Sequence, residues 1–112
     1  MNFVAIDIET ANADFSSICQ IGVASYRNGD LHEEWETYID PEDYFDGFNV
    51  SIHGIDKPMV KGALTFSDVA EQLYNYLDNR VAVCHTHFDR LSIQQVSTSL
   101  KALLSRILDV DP

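Results

Sequence analysis

The pattern of apolar and polar positions predicts β-strands in the first third of the chain. A strand places alternate side chains on opposite faces, so Cys19, Ile21 and Val23 are expected on one face. Asn28 and Gly29 favour a type I′ turn, because both tolerate a positive φ. The predicted strands, joined as an antiparallel meander, are Asn2–Ile8, Ile18–Arg27 and Asp30–Asp40.

The middle of the chain changes from strand periodicity to helical periodicity. Residues 41–49 are predicted to form an acidic, aromatic loop, and Gly54 and Pro58 favour a shaped loop or a short helical turn. Thr65 and Asp68 have the spacing of a capping box, which marks a helix start. Helical spacing then holds for Phe66, Val69, Ala70, Leu73 and Leu77. These residues predict an amphipathic helix packed on the sheet.

The last part of the chain predicts one more strand and further helix. Arg80–Cys84 is apolar after its first residue, as expected for a buried strand that follows a crossover. A helix is predicted over 89–95, and an apolar helical stripe runs over 100–108. The fold class is therefore α/β, in one domain over 1–112. Its mixed sheet combines an antiparallel three-strand meander with a crossover helix and a parallel strand.

Composition and charge limit the possible functions. The chain has 112 residues, 46% of them hydrophobic, which suits one globular domain. No stretch is long and apolar enough for a membrane span or a signal core, so a cytoplasmic protein is expected, with Cys19 and Cys84 as buried free thiols. The net charge of −11 argues against a nucleic-acid binder that works through a basic face. If the protein handles nucleic acid, metal ions must supply much of the positive charge.

Two carboxylates interrupt the first apolar run. Asp7 and Glu9 are two positions apart, so a strand places both side chains on one face. Like charges at that spacing repel each other and lose hydration unless a positive group lies between them. A divalent metal ion is the simplest such group, because hard cations bind carboxylate oxygens. The alternative is that both residues lie just past the strand end and are solvated.

Asp89 adds a third carboxylate, after the strand Arg80–Cys84. Ligands bind at the carboxyl ends of strands in such sheets, where loops meet. Asp7, Glu9 and Asp89 there can hold two Mg²⁺ or Mn²⁺ ions about 3.5–4 Å apart, which activate a water and stabilise the oxygens of a phosphodiester. A second interpretation of Asp89 is the N-cap of the following helix.

Three motifs, in order from Phe3 to Gln95, resemble those of one enzyme family. Asp7–Thr10 matches D-x-E-T, and Ile52–Ile55 matches I-H-G-I. His85–Arg90 is similar to H-N-x-x-F-D, with either one residue fewer between His and Phe or a His in the Asn position. The chain thus resembles the DEDD superfamily of proofreading-subunit-like 3′–5′ exonucleases, which have a ribonuclease H-like fold.

The resemblance implies hydrolysis of nucleotides from the 3′ end of single-stranded DNA or RNA. It implies that Asp7 bridges two metal ions and that Glu9 and Asp89 complete the carboxylate set. Thr10, Ala11 and His53 match positions where relatives contact the terminal nucleotide. For His53, a loop histidine that stabilises its own turn is the rival interpretation.

The family's third motif is missing from the sequence. Relatives carry a general-base His followed by a final Asp, whereas no His follows His87 here and no H-x-x-x-x-D occurs after Val96. A truncation before that motif, which leaves the fold incomplete at the C-terminus, is expected. Two alternatives follow: a catalytically impaired fragment that binds metal or nucleotide, and a structural interaction domain. An exposed sheet edge together with the apolar stripe over 100–108 further predicts a homo-oligomer.

Overall fold

The computed structural model describes residues 2–14, 16–77 and 82–84. They form a mixed sheet with helices on the connections between its strands. The strands are β1 (Phe3–Thr10), β2 (Ile18–Arg27), β3 (Asp30–Tyr38) and β4 (Ala82–Cys84). The helices are α1 (Gly47–His53), α2 (Lys57–Val60) and α3 (Phe66–Leu77).

The described sheet has the order β3-β2-β1-β4. β1 pairs antiparallel with β2 and parallel with β4, and β2 pairs antiparallel with β3. The predicted meander and parallel strand are therefore confirmed. Asn28 and Gly29 both have positive φ, of 52° and 83°, as the predicted turn between β2 and β3 requires. β1 is thus an inner strand, and its carboxylates lie near the middle of the sheet.

One face of the sheet packs against α3. On β1 the even-numbered side chains Val4, Ile6 and Ile8 are buried in the main core. The core stripe predicted for the helix is confirmed at all of its positions, which are Phe66, Val69, Ala70, Leu73 and Leu77. One of the two bonds of the predicted capping box is present, since the Thr65 backbone N–H donates to the Asp68 carboxylate at 3.0 Å, whereas the Asp68 N–H donates to the Thr65 carbonyl. The odd-numbered residues of β1 consequently face away from this core.

Several element bounds differ from the predicted ones. β1 continues to Thr10, past the predicted end at Ile8, and β3 ends at Tyr38. The predicted loop over 41–49 contains the start of α1, which begins at Gly47 behind an Asp46 N-cap. None of the residues of α1 is buried, so the helix has no core-facing stripe of the kind that predicts α3.

A β-bulge breaks the predicted alternation in β2. Glu9 pairs with Gln20 and Thr10 pairs with Ile18, so Cys19 is an extra residue on the β2 side. Ile18 joins the main core, whereas Cys19 packs in a second cluster with Ile55 and Val60. The expectation that Cys19 shares a face with Ile21 and Val23 was therefore wrong for Cys19.

Some predicted features lie outside the described residues. They are Asp89 with its motif, the helix over 89–95, the apolar stripe over 100–108, and residues 80–81 of the last strand. In the described part of the chain, no helix is long and apolar enough to cross a membrane.

Candidate active site

The carboxylate pair of the first motif lies within β1. Asp7 and Glu9 alternate with the buried residues Ile6 and Ile8, so both side chains point to the face opposite α3. Asp7 is exposed and Glu9 is partly exposed. The idea that both residues lie past the strand end was wrong, because β1 continues to Thr10. Their shared face is confirmed, and the hydrated position of Asp7 reduces the cost of the like charges.

A cleft of about 250 Å³ lies beside Asp7 on this face. The residue paired with Asp7 on β2 is Gly22, so no side chain stands directly across from this carboxylate. Glu36 pairs with Gly22 on the far side and accepts a hydrogen bond of 3.2 Å from the Gln20 amide. The cleft is lined by Ala5, Asp7, Gly22, Ala24, Glu34 and Glu36, among others. Small residues thus form its floor, and carboxylates stand on both sides.

The backbone that follows the carboxylates is held by a complete set of hydrogen bonds. From the Thr10 carbonyl to the Asn12 carbonyl, every polar backbone group has a partner. Ala11 N–H donates to Ser17 O (2.7 Å), and Asp46 N–H donates to Ala11 O (2.8 Å). Asn12 N–H donates to the Ser17 hydroxyl at 3.1 Å. We call residues 10–12 the anchored segment. It is buried at all three positions.

His53 binds this segment through one ring nitrogen. Its Nε2 lies 2.8 Å from the Thr10 carbonyl oxygen, and its Nδ1 accepts a bond of 3.0 Å from the Ile55 N–H. A carbonyl only accepts, so these partners select the tautomer with hydrogen on Nε2. The structure therefore brings His53 and Thr10 together. The bond between His53 and Ile55 also stabilises the turn after α1. The contact of Thr10, Ala11 and His53 with a nucleotide stays a prediction.

Two asparagines complete the anchored segment, and the sequence analysis missed both. Asn12 is fully buried; its side chain donates to the Tyr44 carbonyl at 2.9 Å and accepts from the Asp14 N–H at 2.8 Å. The Asn49 amide nitrogen, on α1, lies 3.3 Å from Thr10 O and 3.2 Å from Asn12 O. The partners of Asn49 are nearly forty positions away in sequence, so no local spacing could reveal them. The one signal available was an asparagine two residues after the motif, because asparagine side chains often bond to nearby backbone groups.

The Glu9 carboxylate affects the pKa of the buried Cys19 thiol. Burial, together with the negative charge of Glu9, raises the pKa of the Cys19 thiol to about 12. The thiol stays protonated at neutral pH and does not act as a nucleophile or metal ligand there. Cys19 is a free, buried cysteine, as predicted.

The carboxylates present suit a hard divalent cation. Asp7 and Glu9 offer oxygen ligands on one accessible face. Asp7 borders the cleft, and Glu9 lies next to the bulge. Over residues 2–14, 16–77 and 82–84, no group of three His, Cys, Asp or Glu side chains is close enough to hold a metal ion. The predicted third ligand, Asp89, lies outside these ranges. The last described pair of the parallel ladder joins Ile6 and Cys84, so β4 ends beside Asp7.

Sequence comparisons identify related proteins. The exonuclease family RNase_T matches residues 4–107, which extends past Gln95. The 3′-5′ exonuclease DinG of Bacillus subtilis is 34% identical over 91 residues, which are 78% of this chain and 10% of that protein. A PolC-type DNA polymerase III of Caldanaerobacter subterraneus is 30% identical over 90 residues, 78% of this chain and 6% of the polymerase. The chain therefore spans a tenth or less of the length of these relatives.

Solved structures confirm the fold. Exonuclease X in complex with 5′ overhanging duplex DNA has a TM-score of 0.69 at 24% identity, over 79% of this chain and 51% of that one. A 3′-exonuclease solved for its recognition of the histone mRNA stem-loop has a TM-score of 0.65 at 14% identity, over 89% of this chain and 53% of that one. The described sheet and these neighbours show the ribonuclease H-like α/β fold. By the extent of its sequence match, the chain belongs to the RNase_T exonuclease family.

Proposed function

We propose that the chain forms a metal-dependent 3′–5′ exonuclease-type domain that hydrolyses nucleotides from the 3′ end of single-stranded DNA or RNA. The observation that carries the proposal is the pair Asp7 and Glu9 on one accessible face of β1, beside a cleft, in a chain of the exonuclease family. Neighbouring structures that hold duplex DNA or recognise an mRNA stem-loop support nucleic acid as the substrate class.

The roles of the carboxylates follow from their chemistry. Asp7, Glu9 and Asp89 would hold Mg²⁺ or Mn²⁺, with Asp7 shared between two ions. Bound ions of this kind activate a water and stabilise the charge on the attacking and leaving oxygens. Gly22 leaves room beside Asp7 for a sugar-phosphate backbone, because a larger residue would fill the cleft floor. The fixed backbone after Glu9 keeps this carboxylate in one place relative to Asp7.

We propose that Thr10, Ala11 and His53 form the nucleotide-binding region, in which His53 makes the contact and the other two residues support it. Thr10 and Ala11 are buried, and the backbone groups that link them have protein partners, so they support the site from behind. His53 is only partly buried, and we propose that its ring face contacts the terminal nucleotide. Its two nitrogens remain bonded to the backbone in this arrangement.

A second candidate function is a domain that binds metal or nucleotide without turnover. This function needs only cation ligands, and Asp7 and Glu9 present two of them on one accessible face of β1. The two functions differ in an assay of a labelled single-stranded oligonucleotide with Mn²⁺. Stepwise shortening from the 3′ end supports the exonuclease, whereas Mn²⁺ binding without shortening supports the second function.

Charge-neutral variants test the carboxylate roles. We expect Asp7→Asn and Glu9→Gln to lower the cleavage rate by more than about 100-fold, because loss of a ligand costs at least as much as loss of a residue behind it. Glu71→Gln, on the exposed side of α3, is the matched control and should cleave at the wild-type rate. Equal cleavage by wild type and Asp7→Asn would contradict the enzyme proposal.

We also propose a cellular location and an oligomeric state for the protein. The free buried thiol of Cys19 supports a reducing, cytoplasmic location. We propose self-association through the apolar stripe over 100–108. In the described sheet the outer strand β3 carries Glu33, Glu34 and Glu36, and such charges disfavour pairing along that edge. A monomer by light scattering at micromolar concentration would contradict self-association.

A further inference from the structure

The Asn49 side chain makes an unusual set of contacts. Its Nδ2 lies within 3.4 Å of three oxygens, namely the carbonyl oxygens of Thr10 and Asn12 and the hydroxyl of Thr10. The two carbonyls can only accept, so the amide nitrogen, not the amide oxygen, must face them. Asn49 thereby joins the two ends of the anchored segment.

The register of β1 explains why this segment needs support from another element. The bulge at Cys19 shifts the β1–β2 ladder between Glu9 and Thr10. Beyond Glu9 the ladder is displaced by one residue, and Thr10 is the last residue of β1 that it pairs. The Thr10 carbonyl is one peptide away from Glu9, and it accepts from both Asn49 and His53. After Glu9, α1 therefore holds the Thr10 carbonyl, while Ser17 holds the N–H groups of Ala11 and Asn12.

The contribution of Asn49 is separable from that of core packing. α1 contains no buried residue, so removal of the Asn49 amide opens no cavity in either apolar cluster. The helix instead holds the anchored segment through polar bonds, from Asp46 to Ala11, from Asn49 to Thr10 and Asn12, and from His53 to Thr10. Asn49 is the one member that contacts two separate carbonyls of the segment.

We propose that Asn49 is a positioning residue for the metal site. It holds the backbone beyond the bulge so that the Glu9 carboxylate stays aligned with Asp7 on the same face of β1. This inference rests on the proposed function, because it concerns the geometry of the proposed metal ligands. Residues behind metal ligands affect affinity by about 10–100-fold in proteins generally.

Titration of the whole chain with Mn²⁺ tests this role, by calorimetry or by the electron paramagnetic resonance signal of free Mn²⁺. We expect Asn49→Ala to raise the Kd for Mn²⁺ about tenfold. Asn49→Asp has the same shape but cannot donate to carbonyls, and it adds a negative charge near the site. Electrostatics alone would tighten Mn²⁺ binding in Asn49→Asp, whereas positioning predicts weaker binding. Phe48→Ala is the matched control, because Phe48 is 70% exposed on the same helix.

A second measurement follows the segment itself. In Asn49→Ala the backbone amides of Ala11 and Asn12 should exchange hydrogen faster, while the amides of α3 should keep their wild-type rates. Wild-type Kd values in both Asn49 variants, tighter binding by Asn49→Asp, or loss of the fold in both would each overturn the positioning role. The proposed function fails in a different way, if wild type binds Mn²⁺ no better than Asp7→Asn.

Discussion

Glu9 acts on the Cys19 thiol as well as on any cation at the candidate site. The two residues meet at the bulge, where Cys19 turns into the smaller apolar cluster with Ile55 and Val60. Burial of Cys19 and the negative charge of Glu9 both disfavour the thiolate. At neutral pH the thiol is uncharged, so this effect of Glu9 appears only at the high pH where the thiolate would form.

The first prediction concerns alkaline pH. The folded pKa of Cys19 is about 12, above the ordinary value of 9.0, so the folded protein retains the thiol proton that the unfolded chain loses. The stability from this group is fully present below pH 9 and is lost as pH rises from 9 towards 12. We expect the free energy of unfolding in urea to fall by up to about 1.4 kcal/mol more per pH unit in wild type than in Cys19→Ala. Parallel pH curves for the two proteins would contradict this.

The second prediction concerns His53. His53→Ala removes a donor to the Thr10 carbonyl and leaves the Ile55 N–H without its acceptor. Because Ile55 is buried, we expect a loss of about 1–3 kcal/mol in the free energy of unfolding. His32→Ala, on the exposed side of β3, is the control and should change stability by less than about 0.5 kcal/mol. A similar, small effect of both variants would show that the His53 bonds do not stabilise the fold.

At the scale of elements, β1 and β2 leave the cleft open beside Asp7. A Cβ placed on Gly22 would meet only the Asp7 carbonyl and a Glu36 carboxylate oxygen, both at 3.9 Å. An alanine there fits without strain. Glycine is thus not required by the backbone at this position, and the space it leaves belongs to the cleft.

The third prediction follows from that space. Gly22→Val should lower kcat/KM on a single-stranded oligonucleotide, because its two methyl groups project into the cleft beside Asp7. Its stability should not fall, since a β-branched residue in a strand is favoured over glycine by about 0.5–1 kcal/mol. Gly22→Ala is the control and should keep most of the activity. Equal activity of the alanine and valine variants would show that substrate does not enter this cleft.

Elements with local signals were the ones that the sequence predicted correctly. The α3 stripe, the Thr65–Asp68 bond at its start and the Asn28–Gly29 turn each depend on residues a few positions apart. α1 was missed because its stabilising bonds reach Thr10 and Asn12, far away in sequence, and because its apolar residues Phe48 and Ile52 are exposed. The bulge at Cys19 was missed because apolar residues on both sides of it hide the change of register.

At the scale of the whole molecule, charge is the dominant property. The chain carries 18 acidic and 7 basic residues, and the face that bears Asp7 also presents Glu9, Glu34 and Glu36. A polyanion that approaches this face meets like charges. Cations held at the carboxylates can reverse the local field, because bound divalent ions are the largest charges in such a site.

The last prediction tests whether cations at this site, and not screening in general, permit binding. Fluorescence anisotropy would follow a labelled single-stranded oligonucleotide with a phosphorothioate linkage at its 3′ end, in Mn²⁺ and in NaCl buffers of equal ionic strength. Screening acts equally in both buffers, so tighter binding in Mn²⁺, by about tenfold or more, requires ions at specific ligands. The double variant Asp7→Asn, Glu9→Gln should lose this difference, whereas Glu71→Gln should retain it. If NaCl restores binding as well as Mn²⁺ does, screening alone accounts for the effect, and Asp7 and Glu9 have no part in substrate binding.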